Sequence, residues 1–217
     1  MNQTINSIPR PSFSLWHGWF SRIKLLLITV AITMVYGCKQ PEPQQSFIST
    51  DVAGADFAKN FHLTDHAGQP RTLSDFKGKV VVLFFGYIHC PDICPRTLSN
   101  LASVIERLGP DGRKVQVLFV TLDPERDTQA VLAKFVPSFN PTFIGLYGTQ
   151  QQTAETVKEY KLVYQKQPGK NAGSYTLDHS AGTYIYDATG KLRLYASNDQ
   201  EVGALIEDIK ILLKTAI

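Results

Sequence analysis

Two cysteines near the middle of the chain have the residue type and spacing that chemistry requires. Cys90 and Cys94 are separated by three residues, in the segment Cys-Pro-Asp-Ile-Cys-Pro. Thiolates are preferred ligands of soft metal ions such as Cu(I), and two neighbouring thiols can also oxidise to a disulfide. The pair therefore predicts a soft-metal site or a redox-active dithiol. Two buried cysteines without a function, or a purely structural disulfide, are the alternatives.

The residues on either side of the cysteines predict a strand, a loop and a helix. Residues 80–87 are apolar and mostly β-branched at first, which is typical of a strand buried on both faces. Residues 96–108 have apolar positions three and four apart, which indicates an amphipathic helix. Cys94 should lie at the start of this helix, where the positive end of the helix dipole favours a thiolate. Open α/β sheets bind ligands at such strand ends.

The rest of the body alternates between strand and helix patterns. This alternation predicts a mixed β-sheet with helices on both faces, formed by one domain over residues 51–217. Further strands are predicted at 57–63, 115–122, 143–147, 162–167, 183–187 and 191–196, and further helices at 127–135, 149–160 and 199–214.

Three sequence blocks together resemble the Sco/SenC family. The first is residues 84–95 with its Cys-Pro-Asp-Ile-Cys-Pro core, and the second is 121–128, similar to the family's Asp-Pro-x-Arg-Asp-Thr stretch. The third is residues 178–187, which resemble the family's histidine block. The similarity extends over about residues 53–214. It implies a thioredoxin-like α/β fold.

The resemblance also implies a copper site. Family members bind copper through two cysteines and a histidine, which correspond here to Cys90, Cys94 and His179. They act as copper chaperones, or as thiol–disulfide reductants, in assembling the CuA centre of cytochrome c oxidase. Two thiolates and an imidazole suit Cu(I), and the metal carried is Cu(I), Cu(II) or both. Asp123 and Asp178 are candidates to orient these ligands, with a helix cap or a turn as the alternative role.

The N-terminus predicts export and membrane attachment. Arg22 and Lys24 precede a short apolar run that ends in Val-Tyr-Gly-Cys38, which resembles a bacterial lipobox. We expect a signal peptide over residues 1–37, lipidation of Cys38, and a flexible tether over 38–50. An uncleaved membrane anchor is the alternative. Either arrangement places the body on the extracytoplasmic, periplasmic side of a bacterial membrane.

The charge distribution argues against nucleic-acid binding. The chain carries 22 Lys and Arg against 19 Asp and Glu, a formal net charge of +3. Residues 1–37 contain three of these bases and no acid, so the remainder has 19 of each sign. Nucleic-acid-binding domains need an excess of basic side chains. The partners that the resemblance to the Sco/SenC family implies are instead proteins, namely a copper-acceptor protein such as the CuA-bearing oxidase subunit and a thiol reductant.

A thiol–disulfide oxidoreductase without copper delivery is the main alternative function. In that case His179 would tune a thiol pKa and would not bind metal. No proline follows Pro168, so the chain lacks the late proline of thioredoxins, which counts against a general oxidoreductase. A Cys₂His zinc site with an open coordination position is a further alternative.

Overall fold

The computed structural model describes residues 46–169, 173–180 and 182–215. The predicted signal peptide, Cys38 and all but the last residues of the predicted tether lie outside this range. Among the described residues, no helix is both long enough and apolar enough to cross a membrane.

A mixed sheet forms the centre of the domain. Ten strands lie in the described residues, namely β1 (Thr50–Asp51), β2 (Leu63–Asp65), β3 (Pro70–Arg71), β4 (Val80–Gly86), β5 (Val115–Thr121), β6 (Ile144–Tyr147), β7 (Tyr164–Pro168), β8 (Tyr175–His179), β9 (Gly182–Tyr186) and β10 (Leu192–Ser197). Eight of them form the central sheet, in the order β1-β10-β9-β4-β5-β6-β2-β3. Strands β4, β5 and β6 are parallel, and the remaining pairings are antiparallel. The predicted mixed sheet is thereby confirmed.

Helices flank this sheet. Two short 3₁₀ segments, Leu73–Phe76 and Gly109–Lys114, accompany them. The helices are α1 (Ile93–Arg107), α2 (Gln129–Phe139), α3 (Gln150–Glu159) and α4 (Val202–Thr215).

The two strands at the centre of the sheet are buried along their whole length. Every residue of β4 and β5 is buried, with Leu83 opposite Leu118 in parallel register. Branched and aromatic side chains fill both faces, and each buried one contributes about 1.5–3 kcal/mol relative to exposure. This burial confirms the strand predicted before the cysteines and fixes the point where the chain leaves the sheet.

The two helices that follow β4 and β5 differ from their predicted bounds. Helix α1 begins at Ile93, so Cys94 and Pro95 lie in its first turn, where a missing proline N–H removes no helical hydrogen bond. Helix α2 was expected to end near Pro137 but continues to Phe139. Pro137 has no N–H to donate, but the missing hydrogen bond affects only the last turn of α2. The ring of Phe135 packs edge-on against that of Phe139, with 5.1 Å between centroids.

The strand predicted at residues 57–63 is wrong, since only Leu63 of that segment belongs to a strand. Backbone groups of the segment bond to distant parts of the chain. The N–H of Ala58 donates to the carbonyl of Glu159, and its own carbonyl accepts from the hydroxyl of Tyr186 at 2.8 Å. The N–H of Lys59 donates to the Glu159 carboxylate. These partners satisfy the backbone without a strand neighbour.

Strands β7 and β8 form a separate two-stranded hairpin outside the central sheet. The sequence predicted a strand at 162–167 but none at β8, which ends at His179. The pattern of β8 mixes polar and apolar residues over five positions, too few for a clear period-two signal. The hairpin carries the predicted metal-ligating histidine.

A buried carboxylate fixes the start of the folded body. Asp208 on α4 is fully buried and accepts hydrogen bonds from the backbone N–H groups of Ile48 and Ser49, at 2.7 and 2.8 Å. Strand β1 then pairs with β10, and Asp51 forms an ion pair with Arg193 at 3.0 Å. Residues 48–50, expected to belong to the flexible tether, are therefore held on the domain.

We predict that Asp208→Ala destabilises the protein by about 2–4 kcal/mol, because a buried N–H group and a partly buried one lose a charged acceptor. Urea unfolding measures the loss, and limited proteolysis should show earlier cleavage near residue 48. Glu207→Ala is the matched control, since Glu207 is exposed and pairs with Lys210 on the same helix. Its effect should stay within about 0.5 kcal/mol. Equal losses from both variants would contradict the assigned role of Asp208.

Candidate metal and dithiol site

The two cysteines lie together at the carboxyl end of β4. After Gly86 the chain passes through buried Tyr87, and the N–H of Cys90 donates to the Tyr87 carbonyl at 3.2 Å. Cys90 is partly exposed, whereas Cys94 in the first turn of α1 is fully buried. Both are free thiols, and their side chains lie near enough to interact. The structure thus joins the predicted sulfur pair, with one sulfur at the surface.

The absence of a side chain at Gly86 makes room for Cys94. A Cβ atom at Gly86 would lie 2.8 Å from Cys94 Sγ, 2.9 Å from a ring carbon of Phe119 and 3.1 Å from one of Phe84. The first two distances are shorter than real Cβ atoms show, and the third is unusually tight. Glycine at this strand end is therefore part of how the fold seats the buried sulfur.

Burial governs the protonation of Cys94. It raises the pKa of the Cys94 thiol far above its ordinary value, and the neighbouring Cys90 raises it further. The backbone N–H of Tyr87 acts in the opposite direction but is outweighed. The expectation that the start of the helix favours a thiolate at Cys94 is therefore wrong for the metal-free site. Loss of solvation exceeds the helix-dipole effect, which is worth about 2 kcal/mol at most.

His179 faces the cysteine loop across an aromatic ring. It is the last residue of β8, partly exposed, and its ring packs edge-on to Tyr87 with 6.2 Å between centroids. Its Nδ1 lies 3.0 Å from the carbonyl oxygen of Ser180. A carbonyl only accepts, so this contact assigns the proton to Nδ1. Nε2 then keeps a free lone pair, which is what a metal ligand needs.

The imidazole and the two sulfurs are not within metal-binding reach of one another as they stand. Over residues 46–169, 173–180 and 182–215, no three His, Cys, Asp or Glu side chains are grouped closely enough to hold an ion. Cys90 and Cys94 are in contact, while His179 packs on Tyr87. Binding one ion with all three groups requires the imidazole and the sulfurs to approach each other.

The two aspartates predicted to orient the ligands have different environments. Asp178 is exposed and lies on the opposite side of β8 from Leu177 and His179, because successive strand residues alternate. Asp123 is only 2% exposed and accepts from Arg126 Nε at 2.5 Å and from Tyr175 Oη at 2.8 Å. Asp123 therefore connects to the hairpin of His179 through other side chains, whereas Asp178 points away.

Asp127 had no predicted role, although it belongs to the 121–128 block. Asp127 is fully buried, and its Oδ2 accepts from Thr121 Oγ1 at 2.6 Å and from the N–H of Ile88 at 3.0 Å. Its Oδ1 lies 3.8 Å from Nδ1 of His89, which is 55% exposed. Burial raises the pKa of Asp127. Through its bonds to Ile88 and Thr121, Asp127 connects the loop before Cys90 to the end of β5.

Comparison with known proteins identifies relatives of this chain. A family model described as SCO1/SenC matches residues 49–214. The mouse "Protein SCO2 homolog, mitochondrial" is 38% identical over 153 residues, covering 70% of this chain and 60% of the mouse protein. The chain thus spans about 60% of the length of that mitochondrial relative. The SCO2-like protein of Rickettsia felis is 31% identical over 190 residues, covering 87% of this chain and 93% of its own length.

A solved structure has the same fold. Bradyrhizobium japonicum ScoI, determined with copper bound, is 35% identical with a TM-score of 0.66, and the match covers 73% of this chain and 99% of ScoI. The thioredoxin-like fold expected from the sequence is confirmed by this similarity and by the mixed sheet with its flanking helices. With the match of the family model over residues 49–214, it follows that the chain belongs to the SCO1/SenC family.

Proposed function

We propose that this protein is a copper chaperone that holds one copper ion through Cys90, Cys94 and His179. It would deliver the ion to an acceptor, the CuA-bearing subunit of cytochrome c oxidase. The main support is the pair of neighbouring free thiols, with a histidine on the far side of Tyr87 whose Nδ1 bonds to the Ser180 carbonyl and so leaves the Nε2 lone pair for a metal. Membership of a family with a copper-bound relative adds to this support.

The different exposure of the ligands suits transfer of a cargo ion. Buried Cys94 holds its sulfur away from water, while Cys90 and His179 are partly exposed. Two sulfurs and one nitrogen satisfy Cu(I), and copper binding displaces the thiol protons. An acceptor can therefore replace the exposed ligands first and the Cys94 sulfur last, so that the ion is never released into solution.

A thiol–disulfide reductase is the second candidate, favoured by the same asymmetry of the sulfurs. The Cys90 thiolate would attack an acceptor disulfide, forming a mixed disulfide and releasing one acceptor thiol. Cys94, after losing its proton, would attack the Cys90 sulfur, releasing the second acceptor thiol and leaving a Cys90–Cys94 disulfide. A thiol reductant must then return two electrons to the pair. This activity is compatible with copper delivery.

We also propose that the protein is attached to the extracytoplasmic face of a bacterial membrane through a lipid on Cys38. The support comes from the sequence alone, namely the basic pair Arg22 and Lys24, the short apolar run, and the lipobox-like end of that run. Mass spectrometry of the membrane-extracted protein tests this proposal. The proposal predicts a diacylglyceryl modification on Cys38 and no residues before it.

An anaerobic Cu(I) titration of the reduced full-length chain in detergent, against a competing chelator, tests copper binding. We expect one tight equivalent of Cu(I), together with displacement by copper of any zinc bound beforehand. Zinc retained in the presence of Cu(I) would favour the zinc-site alternative. No binding beyond the chelator's reach would contradict the chaperone proposal, and the reduction potential of the pair would then measure the reductase function.

A further inference from the structure

Three side chains of β8 project from the face of the hairpin that lies on the body of the domain. In β8, Tyr175, Leu177 and His179 face one way, and Thr176 and Asp178 on the other face are exposed. Leu177 is buried at 4% exposure, so this face lies on the body of the domain. Because all three side chains project from one strand, a contact that fixes Tyr175 also constrains where His179 can lie.

Residues of the loop after β5 make three contacts with Tyr175, namely two hydrogen bonds and one cation–π contact. Tyr175 Oη donates to Asp123 Oδ1 at 2.8 Å, and Nη1 of Arg126 donates to the backbone carbonyl of Tyr175 at 3.1 Å. The guanidinium of Arg126 also stacks on the Tyr175 ring, 3.6 Å from its centroid. Asp123 and Arg126 form an ion pair with each other, and the Asp123 carboxylate is almost wholly buried. We call Tyr175, Asp123 and Arg126 together the latch.

The other strand of the hairpin is held by the same loop. Lys166 Nζ on β7 bonds to Glu125 Oε2 at 2.8 Å, and this ammonium lies 4.6 Å from the centroid of the Tyr175 ring. Lys166 and Glu125 are both largely exposed, so water weakens their attraction. The buried carboxylate of Asp123 makes the latch the stronger of the two attachments.

The face held by the latch also contacts the residue that leads into the cysteine loop. Tyr87 packs against the ring of His179, and its hydroxyl interacts with the backbone N–H of Leu177. The Arg126 guanidinium lies 5.9 Å from the centroid of the Tyr87 ring. A continuous set of contacts therefore runs from the latch through Arg126 and Tyr87 to His179.

The geometry points to Tyr175 as a positioning residue, held by Asp123 and Arg126, that sets the place from which His179 reaches the copper ion. This inference rests on the proposed copper site. Freeing Tyr175 would let the strand shift, so the imidazole would have to be reordered at each binding event. Removing an outer partner of a metal-binding histidine typically weakens metal affinity about 10–100-fold.

A double-mutant cycle on Cu(I) affinity tests the latch. Tyr175→Phe removes the hydroxyl bonded to Asp123 but keeps the ring under Arg126, so the fold should be little disturbed. We expect this change to weaken Cu(I) binding about tenfold in the full-length protein. In a His179→Ala background the same change should alter affinity by less than about twofold, because the residue it positions is gone. Arg126→Lys should show the same dependence on His179.

Tyr147→Phe is the matched control, because the Tyr147 hydroxyl donates a similar hydrogen bond, 3.0 Å long, to Gln129 Oε1. This bond lies away from the cysteines. It should leave copper affinity unchanged. The electron paramagnetic resonance spectrum of the Cu(II)-loaded protein gives a second readout, in which Tyr175→Phe should weaken or broaden the imidazole nitrogen couplings.

An equal loss of copper affinity from Tyr175→Phe with and without His179 would overturn the proposed role of the latch. The hydroxyl would then act through the cysteines or the general fold. An unchanged affinity would overturn it as well. Failure of the wild-type protein to bind copper would instead refute the proposed function on which the latch rests.

Discussion

Cys90→Ser and Cys94→Ser are each expected to abolish Cu(I) binding at micromolar protein, whereas His179→Ala should weaken it by about 100-fold, or about 2.7 kcal/mol. Thiolates are far better ligands for Cu(I) than hydroxyls, so a single sulfur with one imidazole cannot hold the ion against a chelator. The His179 variant keeps both sulfurs and loses the one ligand that must approach from the hairpin. Competitive titration under anaerobic conditions measures all three affinities.

The same three variants separate the two candidate functions. A reductase needs both sulfurs but not the imidazole as a ligand, so His179→Ala should only modulate its rate of disulfide exchange. His62→Ala is the matched control, since His62 is exposed and its Nε2 lies 3.5 Å from the side-chain amide nitrogen of Asn60. Full copper affinity in His179→Ala would contradict the three-ligand site and leave the dithiol alone as the functional group.

Gly86→Ala is expected to disrupt both stability and copper binding. The added methyl would stand 2.8 Å from Cys94 Sγ and 2.9 Å from the Phe119 ring, in a strand end buried on both faces. Overpacking of a core costs about 1–3 kcal/mol, and here the Cys94 sulfur must move to relieve it. We therefore expect destabilisation of about 2–3 kcal/mol in urea unfolding, together with at least about tenfold weaker Cu(I) binding.

Gly203→Ala provides the control for backbone and composition effects. Gly203 lies in α4, and an added Cβ there would meet no atom within 4 Å. Alanine is favoured over glycine inside helices, so this variant should be as stable as the wild type or more stable by up to about 1 kcal/mol. If Gly86→Ala were equally harmless, the space around Cys94 would be larger than the structure indicates.

The order of strands and helices could be predicted from the sequence where the pattern was long and regular. Strands β4 and β5 are runs of seven residues that are buried throughout, and α4 repeats apolar residues on one face. Short elements could not be predicted in this way. Strand β8 has five residues of mixed polarity, and at 57–63 bonds to Glu159 and Tyr186 replace strand pairing.

The site could be predicted in part. The cysteine pair at the end of a buried strand follows from local pattern, because a buried apolar run, a loop and a helix start lie in adjacent positions. The role of His179 came from the resemblance to a family, since 84 residues separate it from Cys94 in the chain. The roles of Asp127 and Tyr175 could not be recognised from the local sequence. Aspartate is common in turns and tyrosine in strands, so neither residue type indicates a buried or positioning role.

Residue type and nearby periodicity are enough to identify the side chains that can bind a soft metal and the strand that ends beside them. The packed fold is needed to show that burial raises the pKa of the Cys94 thiol, that His179 packs on Tyr87, and that Asp123 faces the hairpin while Asp178 does not. Solvation and long-range contact set these properties, and both arise only once strands distant in the chain have packed together.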